Sequence, residues 1–326
     1  MEARRAPMPG ARWHFQHGPI DLVIGADGAA DAVAAAHEAA WRRFRTVLRE
    51  LVAELPLLRQ PVGAVCELQG VVARRMWAAC APFAEAGFIT PMAAVAGAVA
   101  EELIGAYAGP GIARAWVNNG GDIALHLAPG ASLRVGLVAD LASFDPAQGP
   151  NLDGQFAIEA ALPVRGVATS GWRGRSFSLG IADSVTVLAR SAAQADAAAT
   201  VIANAVNLAD ARVVRRPACE LRDDSDLGDI AVTVDVPPLP PALVRAALSA
   251  GWRRARDLQA AGLIHRAALV CQGQFVQLDV HREADLDAAF GENDLSAAAT
   301  MQPMSGFTSF EPARAASRLH GAAIHD

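Results

Sequence analysis

The stretch GVATSGWRGRSFSLGIADSVTVLARSAAQADAAATVIAN, residues 166–204, decides how this chain folds. It opens as a predicted loop, rich in the turn-forming residues Gly166, Thr169, Ser170, Gly171, Gly174 and Gly180. Residues 183–189 are alternating and β-branched, which predicts a strand. Residues 191–204 are rich in alanine and contain neither glycine nor proline, which predicts a helix. A loop, a strand and a helix are therefore expected in succession.

Asp196 and Thr200 are candidate metal ligands on the predicted helix. They stand four residues apart, so their side chains share one helix face. A carboxylate and a hydroxyl are hard oxygen donors, which Mg²⁺ takes while keeping water and phosphate oxygens. The hydroxyls and backbone N–H groups of the preceding loop suit the same phosphates. The alternative is a solvated aspartate beside a threonine whose methyl group packs in the core, because so short a spacing recurs by accident.

A tight turn between two strands is predicted within WVNNGGDIALHL, residues 116–127. Asn119, Gly120 and Gly121 supply the positive φ angles that a hairpin-like turn needs. Asp122 begins the outgoing strand, where its carboxylate is expected to face a cleft. Taken alone, an Asn-Gly turn is more often a structural feature than a functional one.

Small residues mark the start of a helix predicted at residues 92–107. The segment MAAVAG, residues 92–97, would let another backbone or a flat ligand approach closely. Tight helix packing explains the same composition, since alanine and glycine are common core residues. Both alternatives stay open from the residues alone.

Periodicity predicts the remaining elements. Strands are expected at residues 20–24, 133–139, 156–162 and 230–236, and as a pair within 267–278. Helices are expected at residues 29–54, 71–86 and 242–261. Loops are expected at residues 140–154 and at the polar segment 212–229, whose aspartates offer a second, less favoured metal site. The predicted organisation is a flexible N-terminus at 1–17, a single domain at 18–280 and a mobile C-terminal tail at 281–326.

Composition restricts the class of protein. The 326 residues are 52% hydrophobic and 19% charged, which predicts a compact globular protein. The net charge is −6 and lysine is absent, so no nucleic-acid surface is expected. The four cysteines are far apart, no apolar run is long enough to span a bilayer, and the N-terminal segment lacks the apolar stretch of a signal peptide. We therefore expect a cytoplasmic protein with reduced thiols and no membrane partner.

The motifs together resemble a known family. VATSG, VTVLA and ADAAAT, in this order, resemble the C-terminal half of the FAD:protein FMN transferases, the ApbE family. NGGDI and the Ala96-Gly97 pair also match that family's pattern. The match is closer to an uncharacterised cytoplasmic UPF branch of the ApbE-like superfamily, over residues 18–278. The resemblance implies an α+β, ApbE-like fold, in which helices flank β-sheets and a cleft separates two lobes.

The resemblance also implies a site. Asp196 and Thr200 take the role of Mg²⁺ ligands, and FAD or FMN is the implied cofactor. The implied partners are a small-molecule nucleotide or flavin and, if transfer occurs, an acceptor protein. The residues implied to line the flavin site are Met92, Ala96, Gly97, Asn119, Gly120, Gly121, Asp122, Thr169, Ser170 and Gly171.

Two departures from the family pattern bear on chemistry. The transferases carry a histidine between the TSG and VTV motifs, but residues 166–190 contain none. The lysine that follows the alanine in the family's Gly-Gly-Ile-Ala-Lys-Gly helix start also has no counterpart here. Arg175, Ser176 or Asp183 would have to substitute, and none is an ordinary general base for a threonine hydroxyl at neutral pH. No catalytic residue is therefore assigned.

Three functions remain open on the sequence. The favoured one is Mg²⁺-dependent flavin binding, extending to FMN transfer with altered catalytic residues. The second is a non-catalytic flavin- or nucleotide-binding carrier or maturation factor. The third is an unrelated small-molecule step on the same fold, in cofactor biosynthesis or catabolism.

Overall fold

The structure is a computed structural model that describes residues 2–137 and 154–279. The loop predicted at 140–154, except for Gly154, and the tail predicted at 281–326 lie outside the described residues. The described strands are β1 (Arg4–Met8), β2 (Arg12–His17), β3 (Ile20–Gly28), β4 (Ile112–Asn119), β5 (Asp122–Leu127), β6 (Ser132–Leu137), β7 (Gly154–Glu159), β8 (Gly166–Ser170), β9 (Ser184–Ala189), β10 (Val214–Pro217), β11 (Ala231–Asp235), β12 (Arg266–Cys271) and β13 (Gln274–Leu278). The described α-helices are α1 (Ala30–Ala53), α2 (Leu55–Leu58), α3 (Val71–Cys80), α4 (Val95–Ile104), α5 (Ala192–Ala205), α6 (Ala218–Leu221) and α7 (Pro241–Ala260).

Nine strands form one antiparallel sheet in the order β1-β2-β3-β4-β5-β8-β9-β12-β13. Two smaller two-stranded sheets, β6-β7 and β10-β11, complete the strands of the described residues. Because β8 pairs with β5 on one side and with β9 on the other, it brings the NGGD turn and the VTV strand into one sheet. The predicted α+β class is confirmed.

The two faces of the sheet bury two separate hydrophobic clusters, because strand side chains alternate between faces. On β5 and β8, Ala124 and Ala168 face the larger cluster beneath the helices. Their neighbours Leu125 and Val167 face a smaller cluster that is covered by the β6-β7 hairpin. In this part of the sheet the helices therefore pack against one face, and α5 lies against β8 and β9.

The alanine content of α5 is explained by its position. Its buried residues are seven alanines and Ile202, and the helix packs against the sheet, α4 and α7. Ser191 caps the helix, since its side chain accepts a hydrogen bond from the Gln194 backbone N–H. A Cβ atom at Gly97 on α4 would overlap the Ala192 carbonyl oxygen, so only glycine permits this helix contact. Tight packing thus accounts for the glycine of the MAAVAG segment.

The predicted flexible N-terminus is wrong for the described residues. β1 and β2 pair in antiparallel register and extend the main sheet at its edge. Phe15 is fully buried, and its ring centroid lies 5.1 Å from that of Trp41 and 5.4 Å from that of Phe44. Burial of this aromatic side chain against α1 stabilises the N-terminal strands on the sheet.

Two predicted loops contain regular structure. Gly166–Ser170 is the strand β8 and not a loop, because Val167 and Ala168 are buried between β5 and β9. The polar segment 212–229 contains β10 and the short helix α6. Pairing with β11 orders β10, whose sequence VRRP does not alternate in the way a half-buried strand does.

The helices predicted at residues 71–86 and 92–107 are shorter than expected. The first is α-helical only as far as Cys80, and Pro82 lies within the 3₁₀ turn that follows. The second begins with the 3₁₀ turn Pro91–Ala94 before α4 starts at Val95. Within the described residues, none of the helices combines the length and the apolar character that a bilayer crossing requires.

Candidate functional site

Asp196 on α5 caps the N-terminus of a neighbouring helix. Its Oδ2 atom accepts a hydrogen bond of 2.9 Å from the backbone N–H of Gly97, and the Ala96 N–H also favours its charged form. Both N–H groups belong to the first turn of α4, which has no partner for them within the helix. The alternative prediction, that Asp196 is a solvated helix aspartate, is therefore wrong.

Asn119 and Asp122 close the β4-β5 turn as a register pair. The Asn119 Nδ2 atom donates a 3.1 Å hydrogen bond to the carbonyl oxygen of Ala96. The Asp122 Oδ1 atom accepts a 3.2 Å hydrogen bond from the backbone N–H of Thr169. Both side chains are buried, so the turn is joined to α4 on one side and to β8 on the other.

The turn itself needs its two glycines. Gly120 has φ 67° and Gly121 has φ 111°, in the region that L side chains rarely adopt. The Gly121 N–H donates a 2.9 Å hydrogen bond to Oδ1 of Asn118, which fixes the two-residue connection. The predicted hairpin-like turn is confirmed.

The TSG residues lie at the end of β8, and their polar groups are largely engaged within the protein. The Thr169 hydroxyl lies 2.9 Å from the Thr186 hydroxyl on β9, and its N–H is donated to Asp122. A Cβ at Gly171 would overlap the backbone carbonyl of Asp183. The Thr169 N–H is thus donated to the Asp122 carboxylate in this structure.

Four predicted segments thus converge through direct contacts. Asp196 contacts the start of α4, Asn119 contacts Ala96, and Asp122 contacts the end of β8. Met92 lies in the 3₁₀ turn before α4, and Ser170 lies at the end of β8. Both residues are partly buried and are close in sequence to the residues that make these contacts. Thr200 is partly buried one helical turn after Asp196.

The carboxylates of Asp122 and Asp196 influence each other. Burial raises the pKa of Asp122 well above its ordinary value, and the nearby charge of Asp196 raises it further. The hydrogen bond from the Thr169 N–H and the charge of Arg175 lower this pKa in part. Burial also raises the pKa of Asp196, to about 7, against the hydrogen bonds from Gly97 and Ala96. Two carboxylates therefore lie in one desolvated region, and Arg175 is the cation whose charge favours the ionised form of Asp122.

A hard divalent cation fits this arrangement. Two desolvated carboxylates repel each other, and a cation between them would offset that repulsion. The Asp196 carboxylate and the Thr200 hydroxyl are oxygen donors of the kind Mg²⁺ prefers. The described residues include no group of three or more His, Cys, Asp or Glu side chains placed to hold a metal. Water and substrate oxygens would therefore complete the coordination.

The pKa shifts predict how stability depends on pH. A carboxyl whose folded pKa exceeds its unfolded value of about 3.9 binds protons more tightly when folded, so its contribution is lost as pH rises. Wild type should therefore lose stability relative to Asp196→Asn between about pH 4 and pH 7, by roughly 1.4 kcal/mol per pKa unit of elevation. Urea unfolding at each pH without divalent cations measures this, and parallel curves for the two proteins would contradict it.

Asp183, one of the three possible substitutes for the family histidine, has a structural role. Its Oδ2 accepts a 2.5 Å hydrogen bond from the backbone N–H of Gln272, and its Oδ1 accepts one of 3.3 Å from Trp172 Nε1. These bonds join the loop after β8 to the turn between β12 and β13. Arg175 and Ser176, the other two, are exposed.

The structure also adds a residue that the motifs did not assign to the site. Arg175, from the loop between β8 and β9, lies against Gly120 and acts electrostatically on Asp122. Sequence spacing gives no sign of this contact, because 55 residues separate Gly120 from Arg175 and the antiparallel sheet brings them together. Its only signal in the sequence was a positive charge within the TSG region.

The fold and the site define the class of protein. A family model described as AbpE bacteria matches residues 4–277. The chain therefore belongs to that family, within the ApbE-like superfamily.

Similar proteins agree with this assignment. A UPF0280 protein of Methanopyrus kandleri is 36% identical over 219 residues, which cover 66% of this chain and 83% of that protein. A UPF0280 protein of Methanothermobacter thermautotrophicus is 35% identical over 181 residues, which cover 55% of this chain and 66% of that protein. The predicted similarity to the UPF branch is confirmed.

One solved structure is also similar. The apo form of the flavinyl transferase ApbE of Pseudomonas stutzeri has 15% sequence identity to this chain and a TM-score of 0.42. The comparison covers 90% of this chain and 97% of that chain.

Proposed function

We propose that this protein binds a flavin nucleotide, FAD or FMN, in a Mg²⁺-dependent manner. The observation that carries the proposal is the pairing of the Asp122 and Asp196 carboxylates where α4, α5, the β4-β5 turn and the end of β8 meet. Membership of the ApbE-like superfamily supports the choice of a flavin as the ligand.

Each group at the site has a role in this proposal. Asp196 and Thr200 hold the cation, and Asp122 faces it from the hairpin. The bound cation would neutralise phosphate oxygens of the nucleotide. The flavin would lie along the remaining predicted residues: Met92, Gly97, Asn119, Gly120, Gly121, Thr169, Ser170 and Gly171.

The side chains of the site favour binding of the flavin nucleotide over efficient transfer of its FMN group. Transfer of FMN to a hydroxyl needs a group that accepts the hydroxyl proton. Asp183 is engaged by two hydrogen bonds, and Arg175 is a permanent cation. The proposal therefore includes a carrier or maturation role with a flavin, and an acceptor protein enters only if transfer occurs.

We also propose that the protein acts in the cytoplasm. All four cysteines, Cys66, Cys80, Cys219 and Cys271, are free. Free thiols persist in a reducing compartment, whereas exported proteins commonly pair them.

Crystals grown with FAD and Mn²⁺ test the proposed site. Mn²⁺ is a hard divalent cation that replaces Mg²⁺ at oxygen sites and scatters X-rays anomalously. We expect an anomalous peak in contact with Asp196, with the flavin nucleotide beside the β4-β5 turn. Flavin density remote from both aspartates, or no flavin at saturating concentration, would overturn the proposal. Crystals grown with Mn²⁺ alone serve as the control for nucleotide dependence.

A further inference from the structure

The guanidinium of Arg175 lies directly against the β4-β5 turn. A Cβ atom at Gly120 would overlap Nη2 of Arg175 and would lie 3.1 Å from its Cζ. The space that this guanidinium occupies therefore exists because residue 120 has no side chain. Glycine is favoured at position 120 for a second reason, because the backbone there has a φ of 67°, which L side chains rarely adopt.

The loop that carries Arg175 is held in place from its other side. The Arg175 carbonyl oxygen accepts a 3.5 Å hydrogen bond from Nη2 of Arg222, beside α6. The Arg222 guanidinium in turn lies 5.0 Å from the ring centroid of Phe177. Within residues 2–137 and 154–279, no acceptor takes a hydrogen bond from the Arg175 guanidinium, and the residue is exposed. Its donors are thus available to a ligand.

Charge balance indicates which ligand group these donors suit. Asp122 and Asp196 together carry two negative charges when ionised, which offset the two positive charges of one divalent cation. The phosphates of a flavin nucleotide add further negative charge, and Arg175 is the cation beside Asp122 that opposes it. The planar fork of an arginine matches phosphate oxygens in a bidentate manner.

We propose that Arg175 binds a phosphate group of the flavin nucleotide from the side of the Gly120 turn. This inference rests on the proposed function and names a phosphate-contacting residue of the same site. Arg175 is a binding residue here and takes no part in proton transfer. The contact distinguishes nucleotide forms of flavin from riboflavin, which has no phosphate.

The Arg175→Ala variant tests the contact by titration with FAD, FMN and riboflavin in Mg²⁺. A charge-assisted hydrogen bond to phosphate predicts that the Kd for FAD and FMN rises about ten- to a hundredfold. The Kd for riboflavin should change by less than about twofold, because its contacts do not involve Arg175. Arg175→Lys should give an intermediate loss, since it keeps the charge and loses the fork.

Two results would overturn the role of Arg175. One is wild-type affinity of Arg175→Ala for FAD; the other is an equal loss for FAD and riboflavin, which would indicate general damage to the site. Failure of the wild-type protein to bind FAD at all would instead overturn the proposed function. The two failures are therefore distinguishable in one set of titrations.

A pair of glycine variants tests the positional argument. Gly120 and Gly262 are both exposed and have φ angles of 67° and 72°, so alanine strains both turns to a similar degree. A Cβ at Gly262 meets no atom within 4 Å, whereas one at Gly120 displaces Arg175. Both variants should show similar losses in Tm, and only Gly120→Ala should weaken FAD binding. Equal FAD affinity in the two variants would contradict the proposal.

Discussion

Incubation of the protein with FAD, Mg²⁺ and a threonine-containing acceptor peptide is expected to release AMP at least about 10²-fold more slowly than a transferase with a histidine base. General base catalysis typically contributes ~10²–10⁴-fold, and the loop after β8 contains no histidine. Asp183 cannot substitute readily, because Gln272 and Trp172 donate hydrogen bonds to its two oxygens. Liquid chromatography of released AMP measures the rate.

The intact mass of the protein is expected to stay unchanged in the same incubation. Thr169 lies in a motif that loosely resembles a flavinylation target, but its hydroxyl pairs with that of Thr186 within the sheet. Attack by this hydroxyl would require its hydrogen bond to Thr186 to break. Stoichiometric AMP release within minutes, or a mass gain corresponding to FMN, would show that the protein is an efficient transferase.

Replacement of Asp196 by asparagine is expected to remove the Mg²⁺ dependence of FAD binding without unfolding the protein. Asparagine keeps a side-chain oxygen that can accept the Gly97 N–H, and it loses the negative charge that the cation requires. Loss of a metal ligand should weaken binding by at least the 10–100-fold that outer-shell partners contribute. Calorimetric titration of FAD measures the affinity.

The alanine variant gives a different result for a physical reason. Asp196→Ala removes the acceptor that caps the first turn of α4, and loss of such a cap costs about 0.5–2 kcal/mol. Helix propensity by itself would predict a nearly neutral effect, since alanine is the better helix former. Urea unfolding of the alanine and asparagine variants separates the structural role of Asp196 from its proposed role in cation binding.

Local sequence features predicted the parts of the fold that short-range physics controls. Gly120 and Gly121 specify the hairpin turn, and alternation over residues 183–189 specifies β9, because backbone conformation there follows from the residues themselves. Residues 191–204 likewise predicted α5 to within one residue at each end.

Long-range contacts account for what the sequence did not predict. Phe15 orders the N-terminal strands only by meeting α1, and β8 is a strand only because β5 and β9 flank it. The cap that Asp196 provides joins residues 99 positions apart. Each of these features depends on tertiary packing, which local propensity does not encode.

Titration of FAD with and without Mg²⁺ tests the central claim most directly, with wild type, Asp196→Asn and Asp257→Asn compared. Asp257 is an exposed aspartate on α7 and is the matched control for the loss of one carboxylate from a helix. We predict that Mg²⁺ strengthens FAD binding to wild type and Asp257→Asn, and that Asp196→Asn binds FAD equally weakly with Mg²⁺ or with a chelator. An equal Mg²⁺ effect on all three proteins would contradict the assignment of the cation to Asp196.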